Sequence, residues 1–397
     1  MPKLDGPIDR EGVSGEVVLF TGSSPVEAKI MRRIVARFEA DHPNIDVRFT
    51  AINRDYPTVV LTRFAAGEAP DVFTVDGKFL SDWSSKGLLM PLDGFLEAER
   101  IDVSRYRPQL LESVRGSDGS TFALPLNYST VALVTNDRML AEAGVTTPPT
   151  NWEELEAAAA SVTRSVKSKG SGHAGLCLVP NWERMLLFAL QQGGGITDPS
   201  GTKMLVEDPA TRRALDWVRA MLEGGAAITP DQAGSSWCGD AFGRGNVAMA
   251  LEGAWMLPPM RNQFPDVEFS VHELPVGARA ATLAYSGNMS ISRTSKHPEA
   301  AWLLLDYLAS PIAQAELATI GVGVLAMTGV PYPDDLKVFA DGIEHATVWS
   351  LPPGFFNTVL VTADNEMSAV LEGKQTVDGM LGEVQAIGTT MLEANRR

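Results

Sequence analysis

Thr121–Gly144, TFALPLNYSTVALVTNDRMLAEAG, is the stretch whose reading decides the fold. It opens extended and apolar, breaks at Pro125, and resumes as an apolar run over Val131–Thr135. Helical spacing follows, with Asn136 or Asp137 as opener, Met139, Leu140 and Ala143 on one face, and Gly144 as the stop. Between the two extended runs lies Leu126-Asn127-Tyr128-Ser129-Thr130, polar and aromatic. One reading is a strand that leaves one domain and enters another, its polar insert lining the seam. The other is an ordinary buried strand pair with a polar bend.

The flanking segments repeat an α/β alternation. Glu16–Thr21 reads as a strand, and Ser24, Pro25 and Glu27 form a capping box with proline at the first helical position. Val26, Ile30, Ile34 and Phe38 then recur on one helical face. Ile45–Thr50 alternates like a half-buried strand, so the unit is β-α-β with a parallel pair. Asp71–Val75, Gly175–Val179, Asn246–Glu252, Val267–Leu274 and Ser286–Ile291 read as further strands, with helices between them. Two helices, Thr358–Leu371 and Thr376–Glu393, end the chain.

At 397 residues the chain is too long for one ordinary core, which points to two α/β lobes. A hydrophobic share of 45% with 21% charged residues describes a soluble globular protein. The net charge of −16 argues against nucleic acid or an anionic membrane as the main partner. No apolar run is long enough to span a bilayer. Residues 1–15 are polar and rich in Gly and Pro, which predicts a disordered leader with no signal-peptide core. The five histidines lack metal-ligand spacing, and no cofactor motif is present. Cys177 and Cys238 are either a disulfide or two buried thiols.

Several polar and aromatic residues fall at strand ends, where open α/β sheets bind ligands. Gly22-Ser23-Ser24 offers N–H groups and hydroxyls, or is a plain turn. Asp76 and Lys78 are edge charges that bind a ligand or are merely solvated. Asn181-Trp182-Glu183 opens a helix after a buried strand: either the Trp faces a pocket, or it is core and Glu183 complements the helix dipole. Gly253-Ala254-Trp255 ends a strand and suits a flat ligand, with packing filler as the plainer alternative.

Six stretches carry a resemblance: VVLFTGSS, APDVFTVDGKFLSDWSSKGLL, FALPLNYSTVALVTNDRMLAEAGV, AFGRGNVAMALEGAWML, ISRTSKHPEAAWLLLDYLASP and AVLEGKQTVDGML. In this order they resemble the extracellular solute-binding proteins of carbohydrate ABC transporters, of the maltose- and trehalose-binding type, over residues 16 to 390. The resemblance implies the two-lobed α/β periplasmic-binding-protein fold of class II, with three hinge crossovers and a ligand between the lobes. One lobe would take residues 1–127 and 273–322, and the other 132–271 and 326–397. The hinge would lie near 127–132, 270–273 and 322–326.

By matched position, the resemblance places ligand contacts at Ser23, Ser24, Asn53, Arg54, Asp76 and Lys78. It adds Asn127 and Ser129 on the first crossover, Asn181, Trp182 and Glu183, the stacking Trp255, and Gly287 with Asn288. A C-terminal aromatic contact would be Trp349, Phe355 or Phe356. The implied function is a monomeric, non-enzymatic receptor outside the cytoplasm. It would bind a di- or oligosaccharide, an α-glucoside first among them, and deliver it to membrane permease subunits. The alternatives are a polyol-phosphate receptor such as one for glycerol-3-phosphate, and a glycoside hydrolase using Asp76 and Glu183.

Overall fold

The computed structural model describes residues 6–168, 173–198, 200–321 and 323–396. Residues 1–5 of the expected leader and Val322 of the expected third crossover lie outside these ranges. The chain forms two compact units. Unit 1 comprises residues up to Tyr128, Tyr285–Asp334 and Val348–Pro353, and unit 2 comprises Ser129–Ala284, Asp335–Thr347 and the chain from Gly354.

The strands in chain order are β1 (Gly15–Gly22), β2 (Ile45–Ile52), β3 (Val72–Asp76), β4 (Leu124–Thr130), β5 (Ala132–Asn136) and β6 (Ala174–Cys177). They continue with β7 (Ala227–Ile228), β8 (Val247–Glu252), β9 (Phe269–His272), β10 (Thr282–Ile291), β11 (Val324–Leu325) and β12 (Ala346–Val348). One sheet has the order β11-β4-β10-β3-β1-β2, with β12 also paired to β10, and the other β7-β6-β8-β5-β9. The quoted stretch is where the chain changes unit: β4 belongs to the first sheet and β5 to the second.

In unit 1, β1 pairs in parallel with both β2 and β3, so these strands end at one edge. β10 runs antiparallel to β3, with Gly287 opposite Asp76. The β-α-β reading is matched by helix Pro25–Asp41, with the Ser24–Glu27 capping box formed. Its buried face is Ala28, Met31, Ile34, Val35 and Phe38. Val26 departs from expectation at 56% exposure: it lies in the first turn, and the inward stripe starts two residues later. The core includes Phe95 stacked on Trp302 at 5.1 Å and Phe79 on Trp83 at 5.5 Å.

The leader is ordered where it is described. Ile8 is buried, its N–H donates to Glu99 at 2.5 Å, and Arg10 pairs with the same carboxylate at 2.8 Å. Two buried apolar residues, Ile8 and Val13, and the Arg10 ion pair dock a segment whose composition reads as loop.

In unit 2, β6 is parallel to β7 and β8, while β5 is antiparallel to β8 and β9. Cys177 at the end of β6 and Cys238 at the start of helix Cys238–Gly243 form a disulfide. It lies in a cluster with Val134, Phe242, Val247, Ala250, Met256 and Met260.

The later passages between units fall at 284/285 and 334/335, where 270–273 and 322–326 were expected. The reason is register: β9 pairs along β5 and stays with unit 2, whereas β11 pairs with Asn127 and Tyr128 of β4 in unit 1. Val348–Pro353 then returns to unit 1.

Candidate functional site

Unit 1 gathers the predicted polar residues at the edge where β1, β2 and β3 end. Gly22-Ser23-Ser24, Asn53-Arg54 and Asp76-Gly77-Lys78 follow these strands directly. This is the edge at which open α/β sheets bind ligands. Asn53, Arg54 and Asp76 are exposed, while Ser23, Lys78 and Asn127 are half-buried.

Close packing at this edge explains its glycines. A Cβ on Gly287 would lie 2.7 Å from the Asn127 Oδ1, and one on Gly77 would lie 2.8 Å from the Trp349 carbonyl oxygen. Tyr56, which sequence reading passed over, lies against Gly22 with its hydroxyl 2.9 Å from the Thr74 carbonyl. Burial pushes the Tyr56 phenol well above its usual range, so the group stays a neutral donor.

Some predicted contacts serve the fold instead. Ser24 is the helix cap, with its N–H donating to Glu27 at 2.7 Å. Ser23 shares a 2.8 Å hydroxyl pair with Thr21. Asp76 caps helix Gly77–Ser85 through the Lys78 N–H at 3.1 Å, and the Lys78 ammonium lies 3.7 Å from the same carboxylate. Asn288 is fully buried, and its amide donates to the Val75 carbonyl and to Ser286, both at 3.1 Å. It clamps β10 to β3. Trp349 is buried in unit 1, not in the lobe expected for residues 326–397.

In unit 2, Ser129 is also internal. Its hydroxyl donates to the Thr130 carbonyl at 3.0 Å and accepts the Ala254 N–H at 2.8 Å, tying β4 to the turn that carries Trp255. Asn181 caps helix Trp182–Gln191 through the Arg184 N–H at 2.9 Å. Trp182 is 1% exposed, so the plainer reading holds for it: the indole is core. Phe355 is fully buried as well, and Phe356 is half-buried at the start of a π-helical turn, Phe356–Leu360. Glu183 is half-buried in the first turn of its helix.

Trp255 is half-buried. Its Nε1–H donates to Glu252 Oε2 at 2.9 Å. Arg184 reaches that same oxygen at 3.0 Å, and its guanidinium carbon lies 5.4 Å from the indole ring centroid. Glu252 is 1% exposed, at the end of an otherwise apolar strand. Neither Glu252 nor Arg184 was predicted. The signal for the first was a lone carboxylate closing the run VAMALE. The second lies on the first turn after Asn181, beside two residues that were named.

Asp364 accepts the Trp182 backbone N–H at 2.8 Å. Burial raises its carboxyl above the usual range, and the Glu183 charge adds to this, while the Trp182 hydrogen bond opposes it. Among the described residues no cluster of His, Cys, Asp and Glu is placed to hold a metal ion. No described helix is long and apolar enough to cross a membrane.

Residues 22–315 match the family model described as bacterial extracellular solute-binding protein, and the chain belongs to that family. The family consists of receptors and not enzymes, which removes the hydrolase reading. The fold is the two-lobed α/β periplasmic-binding-protein fold. It superposes on the GacH receptor of Streptomyces glaucescens, solved unliganded and with acarbose, with a TM-score of 0.84 and 26% identity over 96% of this chain and 99% of that one. An ABC substrate-binding protein from Listeria monocytogenes in complex with cycloalternan gives a TM-score of 0.86 at 22% identity, covering 96% and 99%. A multiple sugar-binding protein of Streptococcus mutans is 21% identical over 319 residues, 76% of this chain and 72% of that protein.

Proposed function

We propose that this protein is the sugar receptor of an ABC importer and that it binds a di- or oligosaccharide, with an α-glucoside as the leading candidate. The observation that carries the reading is Trp255, a half-buried tryptophan whose indole is braced by a buried carboxylate. A sugar ring has an apolar C–H face and a rim of hydroxyls. An indole covers the face, and carboxylates and amides bond the rim in pairs. Names of relatives point the same way: GacH was solved with acarbose, and the Streptococcus mutans protein is a multiple sugar-binding protein.

Trp255 and the unit 1 edge residues Ser23, Asn53, Arg54, Asp76, Lys78, Asn127 and Gly287 form the proposed contact set. Asn181, Glu183 and Phe356 join it as half-buried candidates. Ligand would draw the two units together about the strand passages, and the loaded receptor would dock on permease subunits. An extracytoplasmic setting suits the Cys177–Cys238 disulfide, which persists in oxidising compartments.

The polyol-phosphate alternative asks for cations available to an anion. Lys78 faces Asp76 and Arg184 is paired with Glu252, which leaves exposed Arg54 as the candidate cation, where a phosphate would want several; this favours a neutral ligand. The test is titration calorimetry against maltose, maltotriose, trehalose, glycerol-3-phosphate and sugar phosphates. Binding to at least one neutral sugar is expected, and binding to phosphates alone would end the sugar assignment.

A further inference from the structure

We propose that Glu252, Arg184 and Gly253 are positioning residues that hold Trp255 as a rigid, charge-neutral platform, and that this platform selects an uncharged sugar over an anionic one. The proposal rests on the sugar-receptor reading and adds to it the basis of charge selectivity.

Three constraints act on one indole. Glu252 Oε2 takes both the Trp255 Nε1–H at 2.9 Å and an Arg184 Nη2–H at 3.0 Å. The carboxylate side chain is 2% exposed and the guanidinium 19%, so water screens the pair weakly. Arg184 also sits over the Trp255 ring at 5.4 Å, within cation–π range. Gly253 supplies the third constraint. Its backbone has φ −92° and ψ 179°, which any residue adopts. A Cβ there would nonetheless lie 2.3 Å from Trp255 Cζ3 and 2.4 Å from Cη2. The glycine is therefore required by the ring and not by the backbone. The turn itself is anchored by the Ala254 N–H on Ser129.

The charge consequence follows from the same geometry. Arg184 is the cation beside the platform, and Glu252 cancels it. A neutral C–H face gains the indole contact without disturbing that pair. A phosphate approaching the other N–H groups of Arg184 would lie close to the Glu252 carboxylate, whose charge opposes it.

The experiment uses the full chain labelled with fluorotryptophan, with the Trp255 resonance assigned from Trp255→Phe. Calorimetry is run with maltose, maltotriose, trehalose and the 6-phosphates of maltose and trehalose. In Glu252→Gln and Arg184→Met the Trp255 resonance should shift or broaden, and affinity for the neutral sugar should fall about tenfold, the scale of one buried contact of this kind. In Glu252→Gln the preference for the neutral sugar over its phosphate should shrink by about the same factor. The Arg184→Met effect should vanish in a Trp255→Ala background, which a merely structural role would not produce. Gly253→Ala should move the resonance with the protein still folded; if it unfolds, the other two variants decide. An unmoved resonance with unchanged affinity and selectivity in Glu252→Gln overturns this proposal while leaving the sugar reading intact. A parent protein that binds none of the neutral sugars overturns both.

Discussion

Trp255 and Trp182 stand at comparable places, each near a strand end and an acidic residue, yet one is half-buried and the other is core. Residue type could nominate both as binding aromatics, but only packing separates them. Trp255→Ala should weaken sugar binding by about 1–3 kcal/mol, the size of a lost aromatic contact. Calorimetry showing the parent's affinity would take Trp255 out of the site. Asp364 gives a pH prediction. Its carboxyl is raised mainly by burial, so the folded state prefers the protonated form. That contribution is fully present below the unfolded value of roughly 4 and is lost as pH rises through the folded value. Asp364→Asn keeps an oxygen to accept the Trp182 N–H and removes the charge. It should therefore raise the melting temperature at pH 7 relative to its effect at pH 3, and calorimetric scans giving equal effects at both would refute the burial argument.

Elements were legible where the code is local. The Ser24–Glu27 capping box, the Asn136 cap and the Gly144 stop are three- or four-residue patterns, and they form as read. Faces were less secure. Ile312, in the apolar stretch that follows Leu308, is 66% exposed, because Ser310-Pro311 starts a new helix and resets the phase. The disulfide was undecidable from spacing, since cysteines 61 residues apart meet only if β6 and helix Cys238–Gly243 pack together. Closing that loop stabilises the fold by about 4 kcal/mol in the loop-entropy model. Cys177→Ser with Cys238→Ser should lower the melting temperature clearly, and reductant should then have no further effect on the variant. An unchanged melting temperature would show that the bridge adds nothing beyond its buried cluster.

At the scale of the whole molecule, the alternation of strands and helices announced two α/β units, and the polar insert at 126–130 marked the first passage between them. The later passages were misplaced because a strand's unit is decided by its hydrogen-bonding partner, which local pattern does not name. The proposed closure has its own test. A bound sugar should raise the melting temperature by mass action and reduce the radius of gyration measured by solution scattering. A constant radius with clear binding would remove closure and spare the receptor assignment.

Read alone, the sequence determined most of the elements, the two-unit α/β class and which polar groups fall at strand ends. Those depend on apolar periodicity and short capping motifs, which act between near neighbours along the chain. Tertiary structure decided which of the nominated groups remain available. Asn288, Ser129 and Trp182 are taken up inside the fold, while Arg184 and Glu252, never nominated, bracket Trp255. A polar or aromatic side chain settles on the partners the fold places beside it, and those often come from a distant segment brought alongside by sheet register.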